Sequence, residues 1–304
     1  LATDGPCLVI AGAGSGKTKV LTHKIAYDIE SGIKPWNILA ITFTNKAANE
    51  MKERIEKLIG DAAKDLWMGT FHSICVRILR RYIDRIGYKT DFVIFDTSDQ
   101  KTLIKECLKA LKVDDKIFTD RGVLSEISNG KNEMLEPKAY GVKYAGDFRK
   151  EKIAEIYELY QRRLRENNAI DFDDIINFTI KILSENPDVL DYYTEKFKYI
   201  LVDEYQDTNK VQFTLVSLLA SKYGNVTAVG DNDQGIYSFR GADISNILNF
   251  ERDFPGTRII KLEQNYRCTG NILKAANAVI KHNENKYDKK LWTENEEGHL
   301  PCIY

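Results

Sequence analysis

The sequence predicts an α/β fold built on a parallel sheet. Short apolar, β-rich runs recur along the chain, and most are followed by segments with helical periodicity. A long internal stretch keeps helical spacing with few strand signals. It predicts a mostly α-helical unit inserted into the α/β part.

In chain order, the strand runs are Cys7 to Ala11, Ile38 to Thr44, Tyr199 to Val202, Val226 to Val229 and Arg258 to Leu262. Runs this apolar suit a sheet covered on both faces. After the second, Ala48, Met51, Ile55 and Leu58 fall at i, i+3, i+7 and i+10, the spacing of a helix lying on the sheet. The helical stretch runs from about Tyr88 to Ile175, with Leu103, Cys107 and Leu111, then Ile153, Ile156, Tyr157, Tyr160 and Leu164 in register. Its tyrosines read as core. Strand signals stand close to both chain ends, so the sequence reads as cut from a longer protein.

The 304 residues are enough for two compact domains, and 43% hydrophobic content suits a globular chain. No apolar run reaches the length of a membrane span and no signal-peptide pattern opens the chain, so the expected address is the cytoplasm, with no membrane partner. Five scattered cysteines without a C-x-x-C pair argue against a zinc site or a disulfide framework. A net charge of −1 excludes a binder that holds nucleic acid by bulk positive charge.

Ala11-Gly12-Ala13-Gly14-Ser15-Gly16-Lys17-Thr18 follows the first strand and precedes a helix, the context a phosphate-binding P-loop needs. Glycines let successive N–H groups converge on one anion. Lys17 can reach the β and γ phosphates, and Thr18 offers a hydroxyl to Mg²⁺. Tyr199 to Val202 ends in Asp203-Glu204, at the sheet edge where ligands of α/β folds bind. An acidic pair after a strand is ordinarily solvated surface. Beside a P-loop it supplies what phosphoryl transfer requires, Asp203 for Mg²⁺ and Glu204 for the attacking water. Gln234 lies in the polar turn after Val226 to Val229 and is a candidate γ-phosphate sensor, although alone it would be unremarkable. Gln264-Asn265-Tyr266-Arg267 closes the last strand, bringing a ring and a guanidinium to the same edge.

With these residues in place the chain resembles the superfamily 1 DNA helicases of the UvrD/PcrA/Rep type. The resemblance rests on AGAGSGKT at 11–18, ILAITFTNKAANEM at 38–51, GTFHS at 69–73, DFDDI at 171–175, VDEYQDTN at 202–209, VGDNDQGIYSFRGAD at 229–243 and LEQNYR at 262–267. It implies a RecA-like P-loop ATPase domain, 1A, over residues 1–87 and 176–267. A helical domain, 1B, would span 88–175, and a second RecA-like domain, 2A, would begin at 268–304. ATP would bind between 1A and 2A.

For this sequence the resemblance implies that Ala11 through Lys19 (Ala11, Gly12, Ala13, Gly14, Ser15, Gly16, Lys17, Thr18, Lys19) line the nucleotide. Thr18 and Asp203 would hold Mg²⁺, Glu204 would activate water, Gln234 and Arg267 would face the γ phosphate, and Tyr266 would stack on adenine. Single-stranded DNA would meet Thr42, Phe43, Asn45, His72, Phe172, Tyr237, Phe239 and Arg240. Aromatic contacts suit a motor that must accept every base. Without the resemblance, Phe43 would read as core and His72 as a structural histidine.

Phe239 stands where many relatives carry tryptophan, and Gly235 and Cys268 where serine is common. The adenine-reading glutamine motif and the 2A arginine are absent from the sequence. The implied activity is 3′ to 5′ DNA translocation and unwinding, on single strands and their junctions with duplex, with weak turnover by this portion alone. A nucleotide-sensing DNA-binding module and a helicase–nuclease subunit are the rival readings. Repair, replication restart and plasmid replication all use such an engine.

Overall fold

A computed structural model describes residues 4–235, 241–283, 287 and 289–302. The α/β expectation holds. Six parallel strands, β1 (Cys7–Ala11), β2 (Ile38–Thr42), β3 (Trp67–Thr70), β6 (Tyr199–Val202), β7 (Val226–Gly230) and β8 (Arg258–Leu262), form one sheet. Its order is β3-β2-β6-β7-β1-β8. A separate two-stranded sheet pairs β4 (Val93–Ile94) with β5 (Ala169–Ile170).

The chain divides into two compact units. The first comprises residues 1–71, 191–209 and 216–304, and the second 72–190 and 210–215.

In the first unit β1, β2, β6 and β7 are almost wholly buried, as their apolar runs require. Four details depart from the sequence reading. β2 stops at Thr42, because the Thr44 side chain accepts the Ala47 N–H at 3.1 Å and caps the helix Asn45–Ile59. That helix buries Ala48, Met51 and Ile55, but Leu58 is exposed. Ile59, at i+4 from Ile55, packs against the core instead. β8 is mostly exposed and, among the described residues, is paired on one side only. β3 was hidden in the sequence because its four residues include a glycine and a polar threonine.

The second unit has its own core. Leu103, Ile104, Cys107, Ile127, Ile153, Ile156, Tyr157, Tyr160 and Leu164 are buried together, in line with the expected helical spacing and tyrosine core. Within it lies a charged network. Lys131, 3% exposed, donates to Asp171 at 2.6 Å and lies 2.7 Å from Asp174. Tyr160 donates to Asp171 at 2.9 Å, and Gln161 donates to both oxygens of Asp174 at 3.1 Å. Asp171 caps the helix Phe172–Glu185 in a capping box with Asp174.

Burial pushes the Asp174 carboxyl up to about 7, with Asp171 adding repulsion. Burial would also raise Asp171, but the Lys131 ammonium overrides it and holds that carboxyl below its usual range. Replacing Lys131 by Met should therefore strand two buried carboxylates and destabilise the protein by about 3–5 kcal/mol at pH 8. At pH 5 both acids can protonate in the variant, so the loss should shrink. Urea unfolding at the two pH values measures it.

Candidate functional site

The register of the sheet places four strand exits side by side. Ile10 of β1 pairs with Gly230 of β7, Ala11 of β1 with Leu262 of β8, and Val202 of β6 with Ala228 of β7. The loops after β1, β6, β7 and β8 therefore leave along one stretch of the C-terminal edge, where parallel sheets bind ligands. All four belong to the first unit.

After β1 the chain turns through Gly14 (φ +72°) and Gly16 (φ +92°), and Gly16 caps the helix Lys17–Glu30 without a side-chain hydrogen bond. The first N–H groups of that helix receive no side-chain cap, which leaves them available to an anion. Gly14 is also required by close packing. A Cβ there would lie 2.7 Å from Arg267 Cβ and 2.9 Å from Asn265 Nδ2. Ser15 donates to the Gly12 carbonyl at 2.7 Å and is buried, while Ala13 and Lys19 are exposed and Thr18 is half-buried.

After β6, Asp203 is buried and accepts the Glu204 N–H at 3.0 Å. Burial, then the neighbouring Glu204 charge, pushes the Asp203 carboxyl up to about 6. Glu204 itself occupies the left-handed region (φ +46°, ψ +46°), an uncommon conformation for a side chain of this size. The turn aims its carboxylate across the edge to Lys17, whose Nζ lies 2.8 Å from Glu204 Oε2. Asp207 is likewise pushed up to about 6 by burial and Glu204, and its buried Oδ1 has no hydrogen-bond partner among the described residues.

Asp203, Glu204 and Asp207 thus gather around Lys17, a local excess of negative charge among the described residues. Asp203 is a hard oxygen donor of the kind Mg²⁺ takes once or twice from protein, the rest coming from phosphates and water. Nothing in the donor set conflicts with a nucleotide-bound Mg²⁺.

After β7, Gln234 donates its side-chain amide to Asp231 Oδ2 at 2.5 Å. After β8, Asn265 donates to the Ala13 carbonyl at 2.6 Å and the Tyr266 N–H to the Gly14 carbonyl at 3.0 Å, clamping this loop onto the P-loop. The Tyr266 ring is 66% exposed beside that clamp and thus free to stack, and Arg267 is exposed as well.

Sequence reasoning gave no role to two residues that organise this edge. Gln206, 2% exposed, donates to Glu204 Oε2 at 3.0 Å and accepts the Asp231 N–H at 3.0 Å, tying the exits of β6 and β7 together. Gly230 is needed beside it, because a Cβ there would lie 2.8 Å from Gln206 Oε1. Asn265, 2% exposed, also accepts the N–H groups of Arg267 and Cys268. Both stood inside quoted motifs, but their hydrogen bonds could not be read from spacing.

The residues expected to meet DNA fall into two sets. In the first unit Thr42 is buried at the end of β2, Phe43 is half-buried with its ring 5.5 Å from that of Phe71, and Asn45 is exposed. In the second, the Phe172 ring is 52% exposed at the start of its helix and lies 5.7 Å from His72 in an edge-on contact. Burial lowers the His72 pKa, which favours the neutral ring at physiological pH. Tyr237, Phe239 and Arg240 lie outside the described residues.

A family model described as the UvrD/REP helicase N-terminal domain matches residues 1–255. The chain belongs to the UvrD/REP helicase family. A second model, the UvrD-like helicase C-terminal domain, matches residues 260–304. Among similar proteins is the ATP-dependent DNA helicase PcrA of Bacillus subtilis (strain 168), 56% identical over 297 residues, which are 97% of this chain and 40% of that protein. The proteins of the same name from Staphylococcus epidermidis (strain RP62A) and Staphylococcus aureus (strain Mu50) are each 57% identical over 297 residues, covering 97% of this chain and 41% and 40% of theirs. The chain thus spans about two fifths of the length of these relatives. Membership agrees with nucleotide use at the sheet edge. No helix among the described residues is long and apolar enough to cross a membrane.

Proposed function

We propose that this chain is the nucleotide-binding half of an ATP-dependent DNA helicase that moves 3′ to 5′ along single strands. The observation that carries the reading is the convergence at one sheet edge of the P-loop, Asp203-Glu204, Gln234 and the Tyr266-Arg267 loop. In this reading residues 1–87 and 176–267 are domain 1A, 88–175 are domain 1B, and 268–304 begin the second RecA-like domain. The cytoplasm is the compartment such a motor implies.

Phosphates would take the uncapped N–H groups at Gly16 and the helix behind it, with Tyr266 stacked on the adenine. Lys17 would leave Glu204 for the β and γ phosphates, and Thr18 and Asp203 would hold Mg²⁺. When bound, that ion neutralises phosphate charge and orients the γ phosphoryl group. Glu204, freed from Lys17, would accept the proton of the attacking water, while Gln234 and Arg267 stabilise charge on the transferring group. Each unit offers its own aromatic contact for DNA, Phe43 on the first and Phe172 on the second, supported by Asn45 and His72.

Phe172→Ala tests the DNA part. The ring is exposed and contributes little to the core, so folding should be retained. Affinity for an oligo-dT strand, followed by fluorescence anisotropy in the full-length protein, should fall by about 1–3 kcal/mol, the worth of one stacked base. Unchanged affinity would remove Phe172 from the DNA surface.

A further inference from the structure

We propose that Lys289 is a positioning residue for the hydrolysis site, a reading that rests on the function proposed above. It lies in the part of the chain matched by the C-terminal family model, far in sequence from the P-loop, yet its side chain is only 4% exposed. Its Nζ donates to Asp231 Oδ1 at 2.5 Å, to Asn232 Oδ1 at 3.2 Å and to Asp233 Oδ2. Two carboxylates this close, 3% and 6% exposed, need a cation between them, and Lys289 supplies it.

What makes the lysine more than a structural ion-pair partner is the other business of Asp231. Its Oδ2 accepts the Gln234 side-chain amide, so the candidate γ-phosphate sensor is parked on the carboxylate that Lys289 holds. The Asp231 N–H donates to Gln206, and Gln206 donates to Glu204. An unbroken hydrogen-bonded path therefore runs from Lys289 through Asp231 and Gln206 to the carboxylate assigned to the attacking water, with a branch to Gln234. Lys289 fixes the position of Asp231. Asp231 in turn fixes where Gln234 rests and how Glu204 is held from the side. Through this path the C-terminal portion of the chain bears on chemistry that the P-loop and Glu204 perform.

The test uses the full-length protein with Lys289→Met, which keeps the bulk and removes the charge, and Lys289→Arg, which keeps the charge. DNA-stimulated ATP turnover by the Met variant should show kcat lowered about tenfold with KM for ATP changed far less, and the Arg variant should recover most of the rate. Combined with Gln234→Ala, the Met substitution should cost little more than Gln234→Ala alone, since both act through one carboxylate. Hydrogen exchange should quicken at residues 231–235 in the Met variant, not in the Arg variant, with β1 and β2 unchanged in both. Turnover by Lys289→Met equal to the unsubstituted protein, or losses that add fully with Gln234→Ala, would overturn the proposal. Absence of turnover in the unsubstituted protein would instead contradict the motor reading. The exchange at 231–235 would then decide alone whether Lys289 holds the turn.

Discussion

Glu204→Gln should lower DNA-stimulated ATP turnover by about 10²–10⁴-fold while leaving nucleotide binding intact or tighter. The rate loss follows from the role proposed for the carboxylate, because an amide cannot accept the proton of the attacking water. The binding prediction follows from the ion pair. Lys17 and Glu204 lie 2.8 Å apart, so the lysine is engaged by the group beside it. An amide holds it less firmly and releases it to phosphate more readily. Because Glu204 is more than a third exposed, the pair is screened and the gain in affinity should be small. The left-handed turn that aims residue 204 across the edge is as accessible to Gln as to Glu, so the fold should be unchanged. Steady-state turnover and titration with a fluorescent ATP analogue measure the two effects. A variant that turned over at the original rate would remove Glu204 from the chemistry.

Asp203→Asn should abolish turnover and make the nucleotide-free protein more stable. Burial and the Glu204 charge push the Asp203 carboxyl up to about 6, above the value near 4 expected of an unfolded chain. Between these two values the folded protein holds a proton that the unfolded chain has released. The unfolded state therefore binds fewer protons, and stability falls as pH rises through the window, then levels off above the folded pKa. The loss is on the order of 2 kcal/mol. Asn carries no charge to bury and still accepts the Glu204 N–H through its carbonyl oxygen. The variant should melt several degrees higher at pH 8 and about equally at pH 4, while losing the hard oxygen anion that a divalent cation requires. A thermal scan at the two pH values is sufficient. A variant less stable at pH 8 would mean that Asp203 contributes more to the fold through contacts than it costs through charge.

The two predictions describe one arrangement seen from two sides. The edge concentrates Asp203, Glu204 and Asp207 around Lys17, an excess of negative charge at that point that the proposed cation and nucleotide would offset. Functional sites commonly carry such charge and backbone tension, and Glu204 carries both.

Much of this was legible in the sequence, for identifiable reasons. The P-loop could be read because glycine spacing and the strand before it are local features, and the buried strands because apolar runs are local too. β3 escaped because Gly69 and Thr70 interrupt its apolar character, and Leu58 was misplaced because spacing alone does not say which residue of a helix's last turn faces the sheet. The connections that organise the site were beyond the reach of local patterns. Gln206 meets Asp231 across 25 positions, Asn265 meets Ala13 across 252, and Lys289 meets Asp231 across 58. Pairings at such separations are decided by the order of strands in the sheet. Periodicity reports which face a residue takes, and strand order is not written in it.

In the proposed motor, hydrolysis at this edge is coupled to a DNA strand. The most direct test is steady-state ATP hydrolysis by the full-length protein with and without single-stranded DNA. Turnover that rises at least tenfold on adding oligo-dT, and that falls by about 10²–10⁴-fold with Glu204→Gln, is the predicted result. Hydrolysis that proceeds at the same rate with and without DNA would contradict it.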